Sequence, residues 1–426
     1  MGDVHVPDLY SRLLCPLRHG RPLWVPEPNR AMPLQCRDTG ICIGDLGQFT
    51  PRGGFERIFN ICESADHPIN RWNGIPPNFT PLEWNRQVDE TPNFFRAGVP
   101  VCSVGAKQRE ICAEATIAIP GLPVGVGGGI EINFSRERGA VLMPSNGATR
   151  VDCLERAGFR EYARKHGVEF YKFVNGPLRR EAVNGSLYLV TGVDKTDTWE
   201  NAVINGTSTD KSCSLLFNTG GILDGRLRLA QTSIRQSSVA SRCSPDRNTA
   251  WNQALFVRGF CISVKDSFWP WSSPGIKVSS TNDSPYKAMS GKIPFGNQPR
   301  SSGSTSSRSS RSSSSDDTQI DSVHVEDDMT RQPYNPLMVV NEFLLRSRED
   351  AHIAITHDDD WIAVMTDQDV DMPDAQTLIE RIKSTFKIVI ASGCVFLERP
   401  PESQSAGSLY IANATPLARP ESHHPF

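Results

Sequence analysis

Apolar residues in the first 272 positions are spaced mainly as in β-strands. Residues 130–134 alternate between apolar and polar side chains, which is the period of a strand with one buried face. The runs 186–191 and 255–262 are almost continuously apolar, as in strands buried on both faces. A clear helical period follows Asp152 and predicts a helix that ends near Gly176. We expect a large β-rich domain with a few helices.

Two turn signals predict strand pairs in this region. The apolar segments 41–43 and 55–61 flank a turn that contains Pro51 and a pair of glycines, which supply the backbone angles of a tight reversal. A second pair of strands is predicted at 116–119 and 130–134, on either side of a glycine-rich loop.

A second ordered region begins at Asn335, where Pro336 is the first residue of a predicted helix. After this helix the pattern predicts a strand at 352–356, a helix from Asp374 and strands at 387–390 and 395–397. Residues 333–400 carry twelve acidic and six basic side chains, a net charge of −6. The pattern predicts a small acidic α+β module.

Between the two regions the composition changes abruptly to Ser, Pro, Asn and Gly. Residues 301–315 are nearly all serine with interspersed arginine, and an acidic cluster follows. Such a segment cannot bury enough apolar surface to offset its chain entropy, so we expect disorder. An inert spacer is one interpretation, and a kinase substrate is the other. The candidate modification sites are Ser309, Ser310, Ser312 and Ser313.

The predicted fold class is therefore α+β, in four segments. They are a large β-rich domain at 1–272, a disordered linker at 273–334, a small acidic module at 335–400 and a disordered tail at 401–426. We expect the two ordered segments to be independently compact bodies, separated by the serine tract. The sequence does not show whether they pack together.

Charge and cysteine usage restrict the partners and the compartment. The chain has 45 basic and 48 acidic side chains, so no overall positive field attracts nucleic acid, and we expect a protein partner of unknown identity. The first residues lack a secretory signal, and no apolar run approaches the roughly 20 residues of a membrane-spanning helix. The eleven cysteines include no Cys-x-x-Cys pair. We expect reduced thiols in a cytoplasmic or nuclear protein that has no transmembrane helix.

Candidate catalytic residues are few. Cys62 and His67 are the residue types of a thiol nucleophile and its base, and Asp194 with Lys195 could form an acid/base pair. Cys62 and His67 also fit an ordinary ordered loop. Asp194 and Lys195 also fit an exposed ion pair in a loop. The glycine-rich segment 120–129 lacks the Gly-Lys-Ser/Thr of a phosphate-binding loop, so we expect no cofactor.

Asp358, Asp359 and Asp360 offer hard oxygen ligands of the kind that Mg²⁺ and Ca²⁺ prefer. Three consecutive residues of an extended chain cannot all face one ion, because successive side chains point to opposite sides. The favoured interpretation is a solvated acidic turn anchored by Trp361, without a metal.

A membrane-acting interpretation is also open for residues 116–134. Amphipathic strands around a small-residue loop could rearrange into an inserting hairpin. The predicted strands are shorter than the roughly 9–11 residues that cross a bilayer, so we expect them to pack on a soluble core.

Several blocks of the sequence are distinctive. They are DTG at 38–40, IGDLG at 43–47, TPRGGF at 50–55, FNIC at 59–62, ADHPIN at 65–70, NGSLYLVTG at 184–192 and AITHDDDW at 354–361. Together they resemble an expanded family of uncharacterised proteins from mushroom-forming fungi, across most of residues 5–272 and 335–397. The resemblance implies no activity and no catalytic residues. The strand at 187–192 is also similar to a strand in gasdermin-like pore formers.

The sequence thus predicts a non-enzymatic binding or signalling protein inside the cell. The support is the absence of a recognisable catalytic constellation, together with two ordered units on a modifiable tether. One alternative is a membrane-acting, gasdermin-like protein that uses strands 116–134 and 186–192. The other is an enzyme that uses Cys62 with His67, or Asp194 with Lys195.

Overall fold

The computed structural model describes residues 5–111, 129–206, 213–219, 227–233, 237–245, 250–265 and 333–400. The predicted strand at 116–119, residues 273–332 of the predicted linker (273–334) and the tail at 401–426 lie outside these ranges, as do Ser309, Ser310, Ser312 and Ser313. The described residues form a large β-rich N-terminal region and a small C-terminal α+β segment, which confirms the predicted α+β fold class.

The described helices are α1 (Val6–Leu14), α2 (Leu34–Thr39), α3 (Pro68–Asn73), α4 (Arg156–Asn175), α5 (Pro336–Ser347), α6 (Asp358–Ile362) and α7 (Ala375–Thr385). The strands of the N-terminal half are β1 (Arg21–Pro22), β2 (Asp45–Phe49), β3 (Phe55–Asn60), β4 (Val88–Phe95), β5 (Val101–Cys102), β6 (Ala106–Ile111), β7 (Gly129–Phe134), β8 (Arg138–Pro144) and β9 (Ala148–Cys153). The remaining strands are β10 (Leu187–Thr196), β11 (Trp199–Gly206), β12 (Cys213–Thr219), β13 (Leu227–Ser233), β14 (Ser237–Cys243), β15 (Gln253–Val264), β16 (Ile353–His357), β17 (Lys387–Ala391) and β18 (Cys394–Glu398).

The largest sheet has ten strands, and the antiparallel pair β10–β15 lies at its centre. Its main path runs β17-β18-β16-β15-β10-β2-β3. Strand β1 also pairs with β15, β9 pairs with β10, and β4 pairs with β9. Every described pairing in this sheet is antiparallel except that of β16 with β18.

Helices cover both faces of this sheet. Alternate residues of β10 face opposite sides, as the pleat of a strand requires. Leu187 and Leu189 join a hydrophobic cluster with Phe170 of α4. Tyr188 and Val190 join a separate cluster that contains the apolar faces of α5 and α7. The N-terminal strands therefore form the middle layer of a three-layer arrangement, and the C-terminal helices form one outer layer.

The two ordered segments are not separate bodies, because they share this sheet. Strand β15 of the N-terminal region pairs with β16 of the C-terminal segment, from Phe260 opposite His357 to Val264 opposite Ile353. Without β16, this half of β15 would present unpaired backbone groups at a sheet edge. Residues 333–400, called the C-terminal module below, therefore extend the central sheet.

Two four-stranded sheets lie beside the large one and have matching strand orders. One runs β14-β11-β8-β5 and the other runs β13-β12-β7-β6. The strands that are neighbours in sequence, β5 and β6, β7 and β8, β11 and β12, and β13 and β14, belong to different sheets. The two members of each pair hold the same position in the order of their sheets. Side chains of both sheets form one hydrophobic cluster, with Phe134 and Phe217 from one and Val141 and Ile204 from the other.

Local signals predicted several elements well, and two boundaries differ. Asn335 and Asp374 cap α5 and α7 through their side chains, as expected. Helix α4 begins after Glu155 and not at Asp152, because Asp152 belongs to β9 and its carboxylate binds an arginine. The segment 41–43 is a turn and not a strand, because the Asp45 carboxylate accepts the Cys42 amide at 2.7 Å.

The tight contact between β10 and β15 gives the first prediction. A Cβ atom at Gly259 would lie 2.2 Å from the Leu189 carbonyl oxygen and 2.7 Å from the Tyr188 ring. We expect Gly259→Ala to lower the free energy of unfolding by about 2 kcal/mol or more, since backbone cannot give way cheaply. Gly158→Ala is the matched control, because a Cβ there meets nothing closer than 3.6 Å and alanine favours helix α4. Urea unfolding of both variants would measure the difference, and equal stability would contradict the packing described here.

Candidate functional site

A group of buried polar side chains lies where β9, β10, β15 and β16 meet. One part is an arginine–aspartate network of Arg150, Asp152, Asp194 and Arg258. The other part, called the module contact below, consists of Tyr188, Thr191, His357 and Asp358. Apart from Arg150 and Asp152, these residues are buried in the sheet.

In the arginine–aspartate network, Asp194 is held by two guanidinium groups. Arg150 donates to both carboxylate oxygens of Asp194, at 2.9 and 2.8 Å. Arg258 donates to the same carboxylate at 2.9 Å, to Asp152 at 2.5 Å and to the His19 carbonyl at 2.8 Å. Burial alone would raise the pKa of Asp194, but Arg258 and Arg150 outweigh it and hold this pKa below its ordinary value. The network therefore keeps Asp194 ionised and enclosed.

A β-bulge makes room for this network. The register of β10 against β15 shifts between Val190 and Gly192, so that Thr191 is the extra residue. A Cβ at Gly192 would lie 1.9 Å from a carboxylate oxygen of Asp152 and 2.8 Å from Nε of Arg258. A side chain at this position would displace the ion pair between Asp152 and Arg258.

His19 closes one side of the network. Its ring packs edge-on against Phe95 and Phe256, with centroids 5.0 and 5.6 Å away. Burial, with help from the charge of Arg150, lowers the pKa of His19 to about 4. The imidazole is therefore neutral at physiological pH and serves as packing between aromatic rings.

In the module contact, Asp358 accepts hydrogen bonds from three donors. The Tyr188 hydroxyl and the Gly259 amide, the latter at 2.9 Å, come from the two central strands. The Trp361 indole donates from within the module at 2.8 Å. Burial raises the pKa of Asp358 despite these donors. A single buried carboxylate thus links the module to both β10 and β15.

His357 makes the second link of the module contact. Its Nδ1 accepts the Asp359 amide at 3.1 Å, so that the neutral ring carries its proton on Nε2. Nε2 lies 2.7 Å from the Thr191 hydroxyl, which in turn donates to the Arg258 carbonyl at 3.3 Å. Burial, followed by the charge of Arg156, lowers the pKa of His357 well below its usual range. The bulged threonine is therefore a second point, beside Tyr188, at which β10 meets the module.

The three aspartates proposed as metal ligands point to different partners. Asp358 faces the sheet, Asp359 forms an ion pair with Arg156, and Asp360 accepts the His357 amide at 2.8 Å in a capping box. The described residues contain no group of three or more His, Cys, Asp or Glu side chains that could hold a metal ion. The residues expected to form a solvated turn form the short helix α6 instead, and Asp358, the first residue of this helix, is buried.

Other ion pairs surround the module. Arg12 of α1 contacts Asp371 at 3.2 Å, and Arg18 contacts Asp367 at 2.8 Å. The Asp8 carboxylate accepts the Tyr334 amide at 3.0 Å. The acidic surface predicted for the module therefore lies partly against arginines of the N-terminal region.

The structure gives Cys62 and His67 separate roles. His67 caps α3 by accepting the Ile69 amide on its ring nitrogen at 3.3 Å. Burial, with further contributions from Asp45, raises the pKa of the Cys62 thiol, which disfavours the nucleophilic thiolate. Hydrogen bonds between Cys62 and His67 are absent among the described contacts. The arrangement lacks the pairing that activates a thiol.

Asp194 and Lys195, proposed as an acid/base pair, lie within β10 and not in a loop. Asp194 belongs to the buried network, whereas the Lys195 ammonium group donates to the Thr39 carbonyl at 2.7 Å. Neighbouring residues of a strand point to opposite faces, which explains the separation.

The blocks that carry the family resemblance occupy structural positions in this region. Asn70 binds the backbone of Asn60, Glu63 and Ser64 through its side chain. Arg57, which lies between the blocks TPRGGF and FNIC, donates to the Gly40 carbonyl of the DTG block at 2.6 Å and to the Cys36 carbonyl at 2.7 Å. These contacts fix the loops between the first strands.

Sequence reasoning missed Arg150, Arg258, Tyr188 and His357. The one available signal was a charged residue inside an apolar run, as with Arg258 in β15 and Asp194 in β10. A buried charge requires a partner, and the partner was not visible from the sequence.

The described helices include none that is both long enough and apolar enough to span a membrane. The comparison with protein-family models and the comparison with curated proteins found no match for the chain. The resemblance to a fungal family therefore stays a prediction.

The side chain of Asp360 is half-buried, and the pH dependence of the unfolding free energy tests the effect of this burial on its pKa. Burial raises the pKa of Asp360 from its ordinary value to about 7, so folding favours the protonated carboxyl. The stabilisation from this group is complete below about pH 4 and is lost as the pH rises to about 7. Asp360→Asn keeps the hydrogen-bond acceptor without the charge. We expect this variant to exceed the wild type by about 1–3 kcal/mol in unfolding free energy at pH 8, with the gap closing near pH 4.

The three histidines of lowered pKa, His19, His166 and His357, act on stability in the opposite sense, but they are common to both proteins and cancel in the difference. The exposed Asp350→Asn is the matched control on the same module. A difference in unfolding free energy between Asp360→Asn and the wild type that does not change with pH would contradict the raised pKa of Asp360.

Proposed function

We propose that the protein is a non-enzymatic binding or signalling protein of the cell interior, in which the C-terminal module acts as a ligand of the N-terminal region within the same chain. The observation that carries this proposal is the burial of Asp358 against Tyr188 and Gly259, two residues that lie far from it in sequence. An enclosed carboxylate with three donors is suited to holding two segments together.

Strand pairing supplies the affinity in this proposal. An extended segment that adds to a sheet edge gains main-chain hydrogen bonds, and its side chains supply the specificity. Five residues of β16 pair with β15, while Asn341 of α5 donates to the Cys261 carbonyl at 3.0 Å. Undocking of the module would leave the edge of β15 open to a strand from another protein.

The burial of the candidate catalytic groups supports a role without catalysis. Asp194 is enclosed by arginines, and the pKa of Cys62 is raised. The carboxylate of Asp194 is ionised, but both of its oxygens are occupied by guanidinium donors, and the Cys62 thiol is disfavoured as a thiolate, so neither group is available as a general base or a nucleophile.

Cleavage of the connection between the segments tests this proposal. A site-specific protease site is inserted between residues 290 and 330 of the full chain, and the nicked protein is passed over a sizing column. We expect nicked wild type to elute as one complex at micromolar concentration. Asp358→Ala removes the acceptor of three hydrogen bonds, so the nicked variant should release its module at least about tenfold more readily.

The matched control is Asp350→Ala, an exposed aspartate of the same module. Spontaneous separation of the nicked wild type, or equal retention by Asp358→Ala, would overturn the proposed role of the contact.

A second candidate function is action on membranes, and the arrangement of the two four-stranded sheets favours it. Strands β6 and β7 form one antiparallel pair, β12 and β13 form another, and β7 pairs with β12 between them. Strand β7 is followed closely by β8 of the neighbouring sheet, so the combined stretch 129–144 exceeds the roughly 9–11 residues that a membrane-crossing strand needs. The run 186–192 is less suited, because β10 is paired on both sides.

Dye-loaded liposomes test this second candidate. If the paired strands insert, nicked Asp358→Ala protein should release the dye at micromolar concentration, while intact wild type should not. Replacing Ile132, whose side chain is buried between the two sheets, with Asp places a charge on the face that would meet lipid and should abolish release. Absence of release from every nicked form would exclude membrane action by these strands.

A further inference from the structure

The large sheet ends at four strands, each of which pairs on only one side within the described part of the chain. These strands are β1, β3, β4 and β17. An unpaired strand edge exposes a row of backbone N–H and C=O groups, and another chain can pair with them unless the edge is blocked. Short length, proline, bulges and covering groups are the usual blocks. The four edges differ in whether they carry them.

Two of the edges are blocked by proline and by their own geometry. Strand β1 has only two residues, and one of them is Pro22. Strand β4 contains Pro92, which has no N–H to donate, and its register against β9 shifts between Thr91 and Phe95. A strand from another chain therefore finds no regular ladder at either edge.

A third edge, that of β3, is covered by helix α3. The Asn70 side chain accepts the Asn60 amide at 2.8 Å. The Asn73 side chain donates to the Ile58 carbonyl at 2.9 Å. These two side chains occupy backbone groups of β3 that another strand would need.

Strand β17 carries none of these blocks. Its sequence, KIVIA, has no proline, and its register against β18 shows no shift. Its one charged residue, Lys387, lies at the end of the strand and opposite Glu398 of β18. Residues 388–390 are half-buried and β-branched, which suits them to a strand. This edge is therefore regular, apolar and uncovered by any described residue.

The hairpin turn determines which backbone groups of β17 point away from β18. The turn at 392–393 has two residues, both with positive φ, as in a type I′ turn. In such a hairpin the pair that flanks the turn exchanges hydrogen bonds, and so does every second pair after it. Ala391 and Val389 therefore bond to β18, whereas the N–H and C=O groups of Ile388 and Ile390 face outward. Among the described residues, these four groups have no hydrogen-bond partner.

We propose that β17 pairs with β17 of a second copy of this chain, antiparallel about a two-fold axis at Val389. In this register Ile388 lies opposite Ile390 of the second copy. The four outward groups of each strand then all form hydrogen bonds. The half-buried side chains of 388–390 meet their counterparts, with Val389 against Val389. The large sheet continues through both copies.

A second copy is the partner that this edge fits, because the strand is complementary to itself. Antiparallel pairing places the two Lys387 ammonium groups at opposite ends of the paired strands, whereas parallel pairing would bring these like charges together. The side chains that face one another are β-branched, and such cross-strand pairs are favourable. Five residues bury less than the roughly 1,200 Å² of stable interfaces, so we expect a reversible dimer with a dissociation constant of about 100 µM.

Sedimentation equilibrium of the full-length protein measures this association. We expect the mean mass to rise with concentration from 47.0 kDa toward twice that value. Val389→Lys places two like charges at the axis and should weaken association at least about tenfold, and Val389→Asp should do the same. An equimolar mixture of the two variants should associate again, because opposite charges then meet. The control is Gln35→Lys, an exposed position on α2 at the other end of the sheet, which should associate as the wild type does.

Cysteine substitution tests the register and decides the matter if the charged variants fail to fold. Residues at the axis form a non-hydrogen-bonded pair, whose Cα atoms lie about 4.5 Å apart, within the span of a disulfide. With oxidised glutathione as the oxidant, two Val389→Cys thiols should form one intermolecular disulfide while the glutathione is reduced to two thiols. Ala391→Cys is the matched control on the same strand, because the axis places its two copies about 13 Å or more apart. Wild type treated in the same way gives the background from the native cysteines.

A single species of 47.0 kDa up to about 300 µM would overturn the proposal. A dimer that folded Val389→Lys leaves intact would also overturn it, as would folded variants whose mixture does not associate. Cross-linking of Val389→Cys that does not exceed that of Ala391→Cys or the wild type would overturn the proposed register and the proposal with it.

Discussion

The buried carboxylate of Asp358 is the contact on which the arrangement of the two ordered segments depends. A carboxylate removed from water is tolerated when donors surround it, and removal of those donors is severely destabilising. Two of its three donors, Tyr188 and Gly259, belong to the central strands of the N-terminal region. Residues 333–400 therefore cannot leave the sheet without exposing this carboxylate and the edge of β15.

The irregularities of the central sheet are related to the same contact. The bulge at Thr191 directs its hydroxyl to His357, and the absence of a side chain at Gly192 leaves space for the pair Asp152–Arg258. Bulges are common beside functional positions because they redirect a side chain without ending the strand. The polar interior of the sheet thus joins β9, β10, β15 and β16 into one unit.

Sequence patterns predicted the elements whose signals are local. Asn335 and Asp374 mark helix starts by their own chemistry, and the strands near 387–390 and 395–397 follow from composition. Strands β15 and β16 are far apart in the chain, so no local sequence signal indicates that they pair. For this reason the sequence suggested two bodies, whereas the structure has a shared sheet.

The candidate site was harder to predict, for a related reason. Three successive aspartates resemble a solvated turn, and the sequence gives no sign that Asp358 lies beneath Tyr188. Cys62 and His67 are close along the chain, but the His67 ring caps α3 whereas the Cys62 side chain packs against a hydrophobic cluster.

Native-state hydrogen exchange of the full chain tests the central claim most directly. If the C-terminal module completes the sheet, the amides of β16 and those of Phe260–Val264 in β15 should be protected to the same extent and should lose protection together as urea is added. Exchange of the β16 amides within seconds while β10 and β15 remain protected would show that the module is a separate body, and would contradict the account.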